Sequence, residues 1–156
     1  MQQTTMTPDQ LAKDQIAKAC AQAMWSGDSA SARLGMALVS VSVGQATLTM
    51  PVTDVMVNGH GTCHGGFIFA LGDSAFAFAC NSYNQCTVAQ HCSITYLAPG
   101  RLGDHLTARA MELSRTGRSG IYDVTISNQD GMTIAIFRGH SRTIKGELLP
   151  GVTASN

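Results

Sequence analysis

The chain has 156 residues, 44% hydrophobic and 13% charged, enough for one well-filled core and too apolar for a disordered chain. Ten basic and ten acidic residues give zero net charge, which argues against nucleic acid or an anionic membrane surface as partner. So low a charge content fits a surface partly buried against copies of the same chain. The opening MQQTTMTPDQ lacks the basic-then-apolar order of a signal peptide. Every long apolar run carries an Asp or a Gly pair before it reaches about 18 residues, so no membrane span is expected. Five cysteines without framework spacing read as the reduced thiols of a cytoplasmic protein.

Residues 1–7 read as disordered. Thr7 as N-cap and Pro8 at the first helical position then start a helix over about 8–25. The stretch 27–31 breaks it. Residues 34–42 and 45–51, rich in Val, Leu and Thr around Gly44, predict a β-hairpin. A loop over 52–63 leads into a helix over 64–82, and that helix is apolar on every face, the mark of a buried one. The pattern then changes to period two. Strands are expected over 87–97, 104–115, 121–127 and 132–144, with turns at Thr116–Gly120 and Gln129–Gly131 and a loose tail after Gly146. The reading is a single α+β domain over 1–156 with its core at about 34–145. An antiparallel sheet of five to six strands wraps around one long buried helix, with a further helix at the N-terminus.

The long helix holds one carboxylate, Asp73. Burying an ionised carboxylate costs several kcal/mol, about what a shifted pKa reflects, so its place asks for a reason. Asp73 can serve as general base or nucleophile; alternatively, Gly72-Asp73 marks a kink that Asp73 caps. At the helix start the first backbone N–H groups lack intrahelical partners, and Gly65-Gly66 admits close approach. That suits an oxyanion hole, or merely tight packing against the sheet. Eight residues separate Gly65 from Asp73, roughly 12 Å of helix, too far for both to act on one carbonyl. If both act, they come from two antiparallel copies at a twofold interface, and the site requires a dimer.

Asn58, His60 and His64 flank the helix start and read equally as loop residues or as site residues. Asn58 can donate to a carbonyl or hold water; His64 can orient the loop or assist proton transfer. His60, Cys63 and His64 lack the further ligands of a metal site, and His91 and Cys92 alternate across a strand, so no metal is expected. The glycine-rich GHGTCHGG lacks the Lys-Ser/Thr of a phosphate-binding P-loop, and there is no GxSxG elbow. Cys63 as nucleophile has no visible base. Seven of the ten basic residues fall at or after Arg101. The turn Arg115–Ser119, with Gly117 and Arg118, reads as a solvated strand edge or as a grip on carrier phosphates.

The segment VNGHGTCHGGFIFALGDSAFAFACNS (57–82), followed by HCSITYLAPG (91–100), resembles the phenylacetic acid degradation thioesterases, the PaaI family of hotdog acyl-CoA thioesterases. The resemblance runs from about Gly35 to Lys145, and ITYLAPGRLGD (94–104) strengthens it. It implies the hotdog fold and hydrolysis of phenylacetyl-CoA or ring-hydroxylated aryl-CoA thioesters. It also implies a tetramer of dimers, and neither metal nor cofactor beyond the coenzyme A of the substrate. Carried onto this chain, Asp73 matches the helical catalytic carboxylate and Gly65 the backbone oxyanion donor. Asn58 matches the residue that positions water or thioester, and His64 the histidine before the glycine pair, with Gly66 and the basic turn left to the carrier. The Asp, where some related thioesterases have Glu, leaves direct attack and water activation both open. Two other readings stand beside this one: a hotdog acyl dehydratase, and a non-catalytic acyl-CoA-binding or regulatory module.

Overall fold

The structure, a computed structural model, describes residues 7–152. Of the residues 1–7 expected to be disordered, 1–6 lie outside that range, as do the last four residues of the tail, whereas Thr7 is placed as a helix cap. Helix α1 (Pro8–Gly27) begins where the capping residues place it, with Thr7 Oγ1 accepting from the Gln10 N–H at 3.2 Å. The break after Gly27 is shorter than expected. Asp28 caps a second, one-turn helix, α2 (Ser29–Arg33), its Oδ1 accepting from the Ser31 N–H at 3.0 Å. Gly35, at φ 72°, then turns the chain into β1 (Ala37–Ser42), which therefore starts three residues later than the Val-rich pattern indicates.

β2 (Gln45–Pro51) pairs back on β1, and a loop with one turn of 3-10 helix leads to α3 (Gly65–Cys80). Four strands follow: β3 (Thr87–Tyr96), β4 (His105–Thr116), β5 (Ser119–Ser127) and β6 (Thr133–Thr143). All six form one antiparallel sheet in the order β1-β2-β4-β5-β6-β3. The sheet curls around α3, as the apolar helix and the alternating strands demand. Leu71, Ala75, Phe76, Phe78 and Ala79 of α3 are buried against Leu48, Leu106, Ala108, Val124, Ile126 and Phe137 of the strands.

Two glycines set how closely the helix can approach. A Cβ at Gly72 would stand 3.1 Å from the Phe137 ring, and one at Gly139 2.6 Å from the Phe76 ring. The helix is continuous through Gly72-Asp73, so Gly72 serves contact with the sheet and marks no kink.

Asn81 fixes α3 to β3. Its Nδ2 donates to the Thr87 carbonyl and its Oδ1 accepts from the Thr87 N–H, both at 2.9 Å. The tail is less loose than its composition implies. Buried Asn84, at φ 55°, donates to the carbonyls of Leu149 (3.0 Å) and Val152 (2.7 Å) and accepts from the Leu149 N–H at 2.7 Å. No helix among the described residues is long and apolar enough to cross a membrane.

Candidate active site

The start of α3 is held by its own neighbours. His64, the N-cap, accepts the Gly66 N–H on Nδ1 at 2.9 Å, so the neutral ring carries its proton on Nε2. The Tyr96 hydroxyl donates to the Gly65 carbonyl at 2.8 Å. These two bonds grip opposite ends of one peptide unit, Gly65–Gly66. The next N–H, of Phe67, turns back onto the His64 carbonyl at 3.0 Å. Among the described residues the Gly65 N–H alone of these three has no acceptor. It is a single preorganised donor at the positive end of a helix dipole.

The glycine pair does serve close packing. A Cβ at Gly65 would stand 2.8 Å from Cζ and Oη of Tyr96, and one at Gly66 3.0 Å from His64 Nδ1. Close packing requires the glycines, and the packing leaves one N–H open. Gly66, expected beside it as a binding residue, has its N–H occupied. Tyr96 is the residue that sequence reasoning missed. Its signal lay within ITYLAPG, but no local rule couples the end of β3 to a helix 31 residues earlier.

Asn58 closes the preceding loop. Its Oδ1 accepts from the N–H of His60 (2.9 Å), the N–H of Thr62 (3.3 Å) and the hydroxyl of Thr62 (3.3 Å). Among the described residues its amide N–H groups remain unpaired, so the side chain can only donate outward. Beside the helix start lies a cavity of about 480 Å³ lined by Cys63, Gly65, Ile68, Tyr96, Leu97 and Pro99, among others. Cys63 is buried, and burial raises its thiol pKa, with the Asp104 charge adding to the effect. No base touches it.

Asp73 lies half-buried on the side of α3 that faces β3. Its neighbour Ser74 points the other way, hydroxyl to hydroxyl with Ser31 of α2 at 2.9 Å. Burial raises the Asp73 pKa above the ordinary carboxylate range, and a weak hydrogen bond from Cys92 Sγ to Oδ1, 3.9 Å, partly offsets this. Cys92 points at α3, while His91 is on the opposite face, edge to face with His140 at 5.5 Å. Gly66, Ala70, Asp73 and Ala77, at helical spacing, form a stripe that the sheet covers only in part. β3 beside it ends the sheet with one side of its ladder unpaired.

The structure does not bring the basic turn to this place. Gly117-Arg118 is a two-residue turn between β4 and β5, tighter than the five residues expected, with Gly117 at φ 59°. It lies toward the C-terminal end of α3, roughly 24 Å along the axis from Gly65. Arg115 stacks 3.8 Å over the Tyr83 ring and donates to Gln85 Oε1 at 2.9 Å. Arg118 Nε donates to the Thr143 carbonyl at 3.1 Å, and Arg142 reaches Ser119 at 3.4 Å.

Residues 60–135, which span the α3 start, Asp73 and Cys92, match the Thioesterase superfamily. The chain is similar to the acyl-coenzyme A thioesterase PaaI of Escherichia coli strain K12, 45% identical over 82% of this chain and 91% of that protein. It superposes on the structure of the PaaI protein from the E. coli phenylacetic acid degradation operon with a TM-score of 0.85 and 44% identity, covering 86% of this chain and 97% of that one. A Streptococcus mutans protein solved bound to acetyl CoA superposes with a TM-score of 0.68 and 29% identity, over 72% and 90% of the two chains. The chain belongs to the thioesterase superfamily and, within it, to the hotdog-fold acyl-coenzyme A thioesterases of the PaaI type.

Proposed function

We propose that the chain hydrolyses phenylacetyl-CoA or its ring-hydroxylated relatives to the free acid and coenzyme A, in a site shared by two subunits. The observation that carries this reading is the division of labour along α3. Of the first three N–H groups of α3, that of Gly65 alone has no acceptor among the described residues, and the half-buried carboxylate is at Asp73, roughly 12 Å further along. A thioester carbonyl needs both within about 3 Å of its reacting atoms. A second copy laid antiparallel on the partly covered stripe of α3, with β3 continuing the sheet, supplies Asp73 to the Gly65 of its neighbour twice over. A long unpaired edge strand beside that stripe is what such a pairing would cover.

In this reading the carbonyl oxygen is received by the Gly65 N–H. Asn58, limited to donation, orients the thioester or the attacking water. His64 and Tyr96 hold the Gly65–Gly66 peptide, and Asp73 of the second copy activates water or attacks directly. The bond to sulfur breaks and the coenzyme A thiolate leaves. The basic turn Arg115–Ser119 enters only through the second copy, whose antiparallel helix brings its C-terminal end toward Gly65. Two such dimers form a tetramer. The chemistry asks for no metal and no cofactor, and five free cysteines suit a reducing cytoplasm.

The test is consumption of acetyl-, crotonyl-, 4-hydroxybenzoyl- and phenylacetyl-CoA, followed as thiol release. Fast release from phenylacetyl-CoA, with Asp73→Ala folded, oligomeric and slowed by several orders of magnitude, is the expected result. Stoichiometric binding without release would make the chain a binding module. Hydration of crotonyl-CoA without release would make it a dehydratase. Mixing Gly65→Ala and Asp73→Ala subunits restores one intact site per mixed dimer; no recovery would count against sharing.

A further inference from the structure

The side chain that reaches Asp73 is itself unusual. From β3 the carboxylate receives the Cys92 thiol at 3.9 Å on Oδ1, and among the described residues Oδ2 has no partner. From α3 itself comes the Cys80 thiol, two turns on, which burial and the Asp73 charge hold up at about 12. No arginine, lysine or histidine on any element packed against α3 contributes to the Asp73 ionisation. Cys92 is pushed up to about 11 by burial and by the carboxylate, so at neutral pH it is a thiol that donates and not a thiolate that attacks.

Its position is fixed from two directions. Cys92 stands opposite Gly139 in the β3–β6 ladder, and the Phe76 ring fills the space over that glycine. The start of β3 is bolted to the end of α3 by the paired Asn81–Thr87 bonds. The bulge at Gln90, between the Ala89–Ser141 and His91–His140 pairs, turns Cys92 toward the helix.

We propose that Cys92 is a positioning residue for thioester hydrolysis: its weak S–H donor aims the Asp73 carboxylate at the uncovered edge while leaving the second oxygen and most of the charge free to react. A guanidinium at this place would hold the carboxylate more firmly but lower its basicity and its reactivity. An alkyl group would leave it basic but unaimed. A thiol lies between these, because sulfur donates weakly. This inference rests on Asp73 being the working carboxylate.

The test uses full-length Cys92→Ala and Cys92→Ser in their native oligomer, with phenylacetyl-CoA as probe and loss of the thioester absorbance as readout. Removing the donor in Cys92→Ala moves the acid limb of the kcat/KM profile upward, by roughly half a pH unit for a bond of this strength. In Cys92→Ser the shorter C–O bond leaves the hydroxyl farther from Oδ1 than the 3.9 Å of the sulfur, outside hydrogen-bond reach, so the limb moves upward there too. In both, kcat at the plateau falls while KM holds. Carbon-13 shifts of the Asp73 carboxyl, read against pH, give the same two displacements without relying on turnover. A purely structural role changes melting temperature or expression but moves neither limb. Limbs that stay in place, or move downward, overturn the role of Cys92. Full turnover by Asp73→Ala overturns the reading of Asp73 itself, whereas an inactive Asp73→Ala with unmoved limbs removes only Cys92.

Discussion

Gly65→Ala separates the packing of the helix start from its chemistry. The added methyl would lie 2.8 Å from Cζ and Oη of Tyr96, where ordinary contact begins near 3.4 Å, so the ring or the helix start must move by roughly 0.6 Å. Tyr96 is 48% exposed, and its ring can swing outward at the cost of its 2.8 Å bond to the Gly65 carbonyl, about 1 kcal/mol. Alanine's helix preference over glycine returns up to about 1 kcal/mol. Stability is therefore expected to change little, with Tm within about 4 °C of the parent. Activity is expected to behave differently. The clamp on the Gly65–Gly66 peptide is lost, the open N–H shifts with it, and losing one oxyanion donor lowers kcat by about 100- to 1000-fold.

Gly66→Ala is the control. Its methyl meets the exposed His64 imidazole at 3.0 Å, so that ring yields at the cost of its bond from the Gly66 N–H, while the Tyr96 bond and the open Gly65 N–H keep their places. The expected loss is below about tenfold, or under about 1.4 kcal/mol. Tyr96→Ala added to Gly65→Ala removes the collision and recovers part of the lost turnover. The measurements are steady-state thioester hydrolysis and thermal melts of the four proteins. A Gly65→Ala enzyme within about threefold of the parent kcat, or a Gly66→Ala enzyme as impaired as it, refutes the assignment of the donor to Gly65.

A base works ionised, and burial raises the Asp73 pKa, so activity is expected to fall with decreasing pH through a limb above the ordinary carboxylate range; a pH–rate profile flat down to that range would contradict this. The same shift has a sign for stability. A carboxyl whose folded pKa exceeds its unfolded one binds protons more readily when folded, so its contribution is full below the unfolded pKa and is lost as pH rises through the folded pKa. Asp73→Asn is thus expected to be inactive yet more stable than the parent at neutral pH, an advantage that fades on acidification, as melts across pH will show. Gly139→Ala places a methyl 2.6 Å from the buried Phe76 ring and is expected to cost about 1–3 kcal/mol in denaturant unfolding. Asn84→Ala removes three hydrogen bonds to the tail, and limited proteolysis is expected to cut near Leu149–Val152 faster than in the parent.

Much of the frame was written locally. Thr7-Pro8 started α1, Pro99-Gly100 followed β3, and Gln129-Asp130-Gly131 lay in the turn before β6, because each acts on its own neighbours. What escaped was long-range. α2 depended on Asp28 accepting a bond at the seam of two helices. The tail depended on Asn84, some 65 residues away in sequence. In the candidate site, the residue types at the helix start and Asp73 could be read directly. Which glycine N–H stays open could not, because that turns on the His64 ring orientation and the Tyr96 hydroxyl. Nor could the partner of Asp73, since a bulge at Gln90 decides which face Cys92 takes.

The sheet order has a consequence for how the protein is made. β3 leaves the ribosome just after α3, yet its only ladder partner in the sheet is β6, from Thr87 opposite Thr143 to Tyr96 opposite Ala135. The nascent chain must therefore wait for nearly its whole length before the edge carrying Cys92 can seat beside Asp73. Chains stalled or truncated ahead of β6 expose an apolar helix and an unclaimed strand together. Such fragments are natural clients for chaperones, and the contact of Cys92 with Asp73 has to follow the arrival of β6.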